Sequence, residues 1–139
     1  MNRSTESAIW LIIIAALGLI VTFIYWAIYP YNVIEYSNLP AKVEEVVVKR
    51  GEHVHYSLDY CKYIDIGATI TRSFEDGLVY STPEFENNFG LGCSSKKIAV
   101  YVPKALPPGL YRLKNIYHFK VNPIREIEYI NYTQEFVVE

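Results

Sequence analysis

Polarity along the chain changes character at Tyr29. Residues 8–29, AIWLIIIAALGLIVTFIYWAIY, are twenty-two positions without one charged side chain, whereas beyond residue 41 apolar and polar residues alternate. At about 1.5 Å of helical rise per residue the first stretch crosses a bilayer core of roughly 30 Å, so it predicts one transmembrane helix over 8–29. The alternation has the period of two that sends successive side chains to opposite faces of a strand. It predicts strands over 42–49, 52–60, 68–74, 78–82, 96–102, 110–121 and 126–138, and no helical period competes with them.

Turn chemistry separates these runs. Asp76-Gly77 is a hairpin signal because both residue types accept positive φ, and Pro107-Pro108-Gly109 and Asn122-Pro123 stop one segment and launch the next. About seven antiparallel strands without helices each bury one face, and a second sheet must cover that face, so the expected fold is an all-β, two-sheet sandwich. The expected organisation is a short arm over 1–7, the transmembrane helix over 8–29, a juxtamembrane connector over 30–41 and a β-sandwich ectodomain over 42–139. Pro30 ends the helix, and Asn38-Leu39-Pro40 turns the connector. The expected edge strand is 42–49.

Parity assigns the faces. In 52–60, Val54, Tyr56, Leu58 and Tyr60 share the core face, and His53, His55, Ser57 and Asp59 share the other. One further step puts Cys61 on the outer face, so a bond to Cys93 in the glycine-flanked loop over 87–97 is expected to be a loop staple rather than an inter-sheet pin. In 110–121, Tyr111, Leu113, Tyr117, Phe119 and Val121 point inward, while Arg112, Lys114, His118 and Lys120 form a basic stripe outside. A turn around 122–125 would set Glu126 and Glu128 opposite Lys120 and His118, which favours a solvated, ion-paired face over an anionic ligand site. The last strand changes phase between Tyr129 and Phe136, which predicts a bulge near Asn131.

An apolar stretch this long exceeds the roughly 7 to 15 residues of a secretory signal core, so the segment is expected to stay as an anchor. Trp10 at one end and Tyr25, Trp26, Tyr29 and Tyr31 at the other match aromatic belts at headgroup depth. The amino group and Arg3 precede the span against Glu6, and no Lys or Arg follows it until Lys42, so the N-terminus is expected in the cytoplasm of an inner (plasma) membrane. The ectodomain then lies in a periplasmic or extracellular space, where a Cys61–Cys93 disulfide forms and closes a loop worth about 3 to 4 kcal/mol.

Catalytic signals are sparse. His53 and His55 at i and i+2 are metal-ligand candidates, with His118 as a third if the strands adjoin, but no carboxylate spacing supports them and no metal or other cofactor is expected. No nucleophile motif is present, and the net charge of −2 argues against nucleic acid. Asn131-Tyr132-Thr133 matches the N-glycosylation sequon.

The phrases YCKY at 60–63, PKALPPGLYRL at 103–113 and VNPIR at 121–125 resemble small uncharacterised single-pass membrane proteins encoded by tailed phages. The resemblance covers about residues 50–139 and implies an immunoglobulin-like sandwich in a cell-envelope setting, with no activity to carry over. The expected function is a non-enzymatic binding or structural module at the envelope. Its partners would be the bilayer and an envelope or virion protein, reached through strand edges and exposed tyrosines. The alternatives are a metal-binding or hydrolytic protein built on His53, His55 and His118, and a helix-anchored assembly subunit.

Overall fold

A computed structural model describes residues 3–30 and 32–139, with the side chains of residues 3–5 left aside. Tyr31, expected in the aromatic belt, lies outside the described residues, as does the Arg3 side chain. The helix α1 spans Arg3–Ile28. Eleven strands follow among the described residues: β1 Ile34–Tyr36, β2 Lys42–Val43, β3 Val47–Val48, β4 His53–Lys62, β5 Ala68–Glu75, β6 Val79–Ser81, β7 Phe85–Asn87, β8 Gly92–Tyr101, β9 Gly109–Asn122, β10 Arg125–Tyr132 and β11 Phe136–Val138. They make two sheets. In the first, β1 and β2 lie along one edge of β4 and β8 along the other. In the second, β9 is flanked by β10 and β11 on one side and β5 on the other, with β6 and β7 outside β5 and β3 outside β11.

The alternation read from β4 and β9 holds. Val54, Tyr56, Leu58 and Tyr60 are buried, as are Tyr111, Leu113, Tyr117 and Phe119, while Val121 is half-buried. One hydrophobic cluster joins both sheets. Tyr36 and Phe89 bring their rings to 5.4 and 5.8 Å from the Tyr117 ring, and Tyr60 meets Phe89 at 5.1 Å. A fully buried apolar side chain such as Phe89 or Leu113 contributes about 1.5–3 kcal/mol over its exposed state.

Several expectations are corrected. The connector over 30–41 is built into the fold: Val33, Ile34 and Ala41 are buried, and β1 pairs with the end of β4. The expected edge strand 42–49 divides, because the chain crosses between the sheets after β2 and resumes as β3. There β3 pairs with β11 in parallel, so the sheets are not wholly antiparallel. The 78–82 run is reduced to β6, and β7 was hidden by its shortness and by Pro83. The predicted bulge near Asn131 is absent: the register irregularity sits at Arg125/Glu126, and the phase change falls where Gln134 and Glu135 separate β10 from β11. At the hairpin between β5 and β6 only Gly77, at φ +104°, takes positive φ, and the Asp76 carboxylate accepts the Leu78 N–H at 3.0 Å.

Candidate functional site

Helix α1 carries no covering surface. Along Glu6–Ile28 the apolar surface is not buried in the fold, and Trp10, Leu11, Leu19 and Phe23 are all exposed. Where α1 ends, the last carbonyls lack intrahelical donors. The normal donor to the Trp26 carbonyl would be residue 30, a proline without an N–H. The β9–β10 turn supplies the replacements. Asn122 Nδ2 donates to the Trp26 carbonyl at 2.7 Å, and Arg125 donates to the carbonyls of Ile28 at 2.8 Å and Pro30 at 3.0 Å. A guanidinium at this end also complements the negative pole of the helix. The same Asn122 accepts the Ile124 N–H at 3.1 Å, which fixes the turn that holds both donors in place. The β domain is thereby docked on the helix end. The sequence marked Asn122 only as a turn residue and did not mark Arg125 as a donor, because nothing local says that a hairpin tip will meet the helix.

The basic stripe lies on the outer face of β9, as parity predicts, and is ion-paired. Glu75 is ion-paired with Arg112 at 3.5 Å and Lys114 at 3.8 Å, His118 meets Glu128 at 3.4 Å, and Lys120 lies opposite Glu126. Arg112 also covers the Tyr132 ring at 4.6 Å. Exposed pairs of this kind contribute little each and leave no unbalanced cationic surface. A shallow depression of about 700 Å³ beside His118 and Lys120 is lined by Glu84, Glu86 and Glu126 as well, so its charges are mixed.

The three histidines do not converge. His53 and His55 face outward from the first sheet and His118 outward from the second, so the shared core separates them. Among the described residues no group of three His, Cys, Asp or Glu has the arrangement of a metal site. Instead His55 Nδ1 lies 2.8 Å from Glu45, whose carboxylate also accepts the His55 backbone N–H at 2.9 Å. Partial desolvation pushes the Glu45 carboxyl up, but these hydrogen bonds outweigh it and hold it below the usual carboxylate range.

Cys61 and Cys93 are disulfide-bonded directly opposite each other on β4 and β8, with Cα atoms 3.9 Å apart. Cys61 does face outward from the core, as parity predicts. Cys93, however, belongs to a strand that begins at Gly92 rather than Lys96, so the bond is a cross-strand clip within one sheet rather than a loop staple. Beyond it, β8 pairs only with β4. Ten residues of β8 therefore present an unpaired edge, the longest strand edge left open among the described residues. Lys96 and Lys97 stand on it, and Lys97 is paired with Glu44 at 2.5 Å.

Three inward polar residues, Lys62, Arg72 and Asn115, escaped the sequence reading. Lys62 continues the core parity of β4 and is buried; its ammonium donates to Ile66 O at 2.6 Å, Asn88 Oδ1 at 2.5 Å and Phe89 O at 2.8 Å, tying together the two loops beside β4. Burial holds its pKa below the ordinary lysine value. Arg72, nine-tenths buried, sits in the apolar phase of β5 over the Phe85 ring at 4.5 Å. Asn115 Oδ1 accepts from Arg72 Nε at 3.0 Å and Tyr56 OH at 3.2 Å, and Asn115 Nδ2 donates to Asn131 Oδ1 at 3.0 Å. Parity would have found all three, since each is a polar residue on an otherwise apolar face. Asn131 is only 1% exposed, so the sequon is closed to a glycan in the folded state. Around this network burial pushes the phenols of Tyr36, Tyr56 and Tyr117 up, which keeps them neutral. Of the tyrosines described beyond Pro30, only Tyr63 and Tyr101 are exposed, so their abundance in the β domain serves packing more than recognition.

No family model matches the chain, and no curated protein matches it. Among solved structures it is similar to the sporulation control protein Spo0M of Bacillus subtilis, at 11% identity and a TM-score of 0.45, over 78% of this chain and 50% of that one. It is also similar to a Niemann-Pick type C2 protein from Japanese carpenter ant, at 12% identity and a TM-score of 0.43, over 78% of this chain and 100% of that one. A third is the alkylpurine DNA glycosylase AlkC of Pseudomonas fluorescens, at 11% identity and a TM-score of 0.43, covering 77% of this chain and 30% of that one. The chain thus spans half the length of Spo0M and less of AlkC. At these scores no functional argument follows from any of them.

Proposed function

We propose that the chain is a single-pass membrane protein of the cell envelope whose immunoglobulin-like β domain is a non-enzymatic binding module. The N-terminus lies in the cytoplasm and the β domain in the periplasmic or extracellular space. The tether is supported by the uncovered apolar helix: such a surface is stable in lipid and costly in water, and at about 1.5 Å per residue its length suits a bilayer core. The outward placement of the β domain rests on the Cys61–Cys93 bond, which persists in an oxidising compartment. The phage-encoded setting has only the sequence resemblance behind it.

The observation that carries the binding reading is the open edge of β8. An unpaired strand of this length offers a row of backbone donors and acceptors to an incoming strand, and main-chain pairing supplies affinity without a pocket. The contact surface thereby moves from the expected 42–49 edge to β8. The test is photocrosslinking in the native membrane from benzophenone side chains placed at Ser95, Lys97 and Ala99, read by mass spectrometry. A discrete protein adduct from these positions, absent from the outward Ile130 on β10, is expected. Equal yields from both places, or none from β8, would refute the edge as the contact.

A further inference from the structure

Three loops meet at the end of the β domain where α1 enters. They are the segment after β4 (residues 63–67), the segment between β7 and β8 (residues 88–91) and the β9–β10 turn (residues 123–124). Strand register puts them at one end, since Ile34 at the start of β1 pairs with Lys62, Lys62 pairs with Gly92, and Thr69, just past the first loop, pairs with His118, four residues before Asn122. Lys62 itself bonds the first two loops to each other. Each loop exposes one large apolar side chain: Tyr63 at 55%, Leu91 at 58% and Ile124 at 49%. Leu91 stands between two glycines, and the φ of +86° at Gly92 shapes a tip that turns it outward.

Depth follows from the helix junction. Asn122 reaches the Trp26 carbonyl and Arg125 reaches the Ile28 carbonyl, so the turn carrying Ile124 lies at the depth of the last helical turn. In a spanning helix that is the headgroup layer, about 5 to 7 Å thick on each side of the bilayer. The Tyr63 N–H donates to Val33 O, three residues past Pro30, so Tyr63 stands within about 10 Å of chain from Pro30. Its phenol is held by Glu35 at 2.9 Å, which leaves an apolar ring with a wet tip, the form that suits an interface. Asp65, the acid in these loops, is engaged by Asn88 at 3.2 Å.

We infer that Tyr63, Leu91 and Ile124 form a lipid-contacting foot, by which the β domain rests on the outer leaflet at the headgroup–acyl boundary instead of standing clear of the membrane. The inference rests on the membrane-spanning reading of α1. Three exposed apolar side chains there remove apolar area from water at roughly 25 cal/mol per Å², which restricts the tilt of the domain about the helix end. It also decides which way β8 points, since the clipped end of that strand starts at the foot and its edge rises away from the bilayer.

The test uses the full chain in phosphatidylcholine vesicles, with a benzophenone side chain installed singly at 63, 91 or 124. Position 19 inside α1 serves as the spanning control, and 78 and 79 at the opposite end of the domain serve as equally exposed apolar controls. Lipid adducts are quantified by mass spectrometry. The expected result is labelling at 19 and at all three foot positions, several-fold above 78 and 79. Labelling at 19 with 63 and 91 no higher than 78 and 79 would overturn the foot while leaving the spanning helix intact. Absence of lipid adducts at 19 would overturn the spanning reading and the foot with it.

Discussion

Replacing Asn115 by Leu is expected to cost about 3 to 5 kcal/mol, a large share of the roughly 5–15 kcal/mol that hold a domain folded. Asn115 is fully buried, and the change removes the partner of three groups at once: Arg72 Nε, Tyr56 OH and Asn131 Oδ1. Each orphaned buried group costs about 1–3 kcal/mol, more where one is charged as Arg72 is, but the three share one site and are not additive. In a domain of about 100 residues the change corresponds to a fall in Tm of at least roughly 12 °C. Asn115→Asp is expected to cost less, because a carboxylate keeps both accepted bonds, and turning the Asn131 amide offers it the Nδ2 that otherwise has no partner among the described residues. Combining Asn115→Leu with Arg72→Met is expected to recover part of the loss by removing the stranded guanidinium. The assay is urea unfolding of the full chain in detergent micelles, followed by near-UV circular dichroism from the core tyrosines. An Asn115→Leu variant within about 1 kcal/mol of wild type, or a double variant no more stable than the single one, would refute a load shared through this network.

Reducing the disulfide, or changing Cys61 to Ser, is expected to lower stability by about 3 to 4 kcal/mol, given the 32-residue separation of the two cysteines; unfolding with and without reductant checks it. Lys62→Met is expected to destabilise by about 2 to 3 kcal/mol and to loosen both loops, because Ile66 O and Phe89 O lose their donor; faster amide exchange over residues 63–67 and 88–91 is the readout. Glu45 has a depressed folded pKa, so its contribution is present above the usual value of 4.5 and is lost as pH falls through the folded value. Glu45 is partly exposed, so the difference between wild type and Glu45→Gln should stay under about 1 kcal/mol at neutral pH and vanish in acid. Arg125→Ala is expected to free the helix end without unfolding the domain; a wider distribution of helix-to-domain distances by pulsed spin-label measurement would show it.

Alternation made β4 and β9 legible because both are long, central and apolar on one face, and the same parity placed the basic stripe and its Glu126 and Glu128 partners in register. The short strands were opaque for a physical reason. β1, β2, β3 and β7 have two or three residues each, too few for a period of two to show, and they exist because longer neighbours supply their hydrogen bonds. The start of β8 reads as loop because Gly92-Cys93-Ser94-Ser95 has weak strand propensity, and it is the full ladder to β4 that extends it. Lys62, Arg72 and Asn115 interrupt apolar faces that pattern reading completes by assumption, so the polar core was passed over. The helix itself was plain from composition, but its docking to the β9–β10 turn joins residues more than ninety positions apart, which no local signal carries.

The central claim is a helix that remains in the bilayer and displays the β domain on the outside. Its most direct test is labelling sealed cells with a membrane-impermeant amine reagent, followed by intact and peptide mass spectrometry of the chain. The account predicts a product that retains residues 8–29, with Lys96 and Lys104 labelled and the N-terminal amine protected. A product that begins beyond residue 29, or label on the N-terminus with the lysines of the β domain protected, would contradict it.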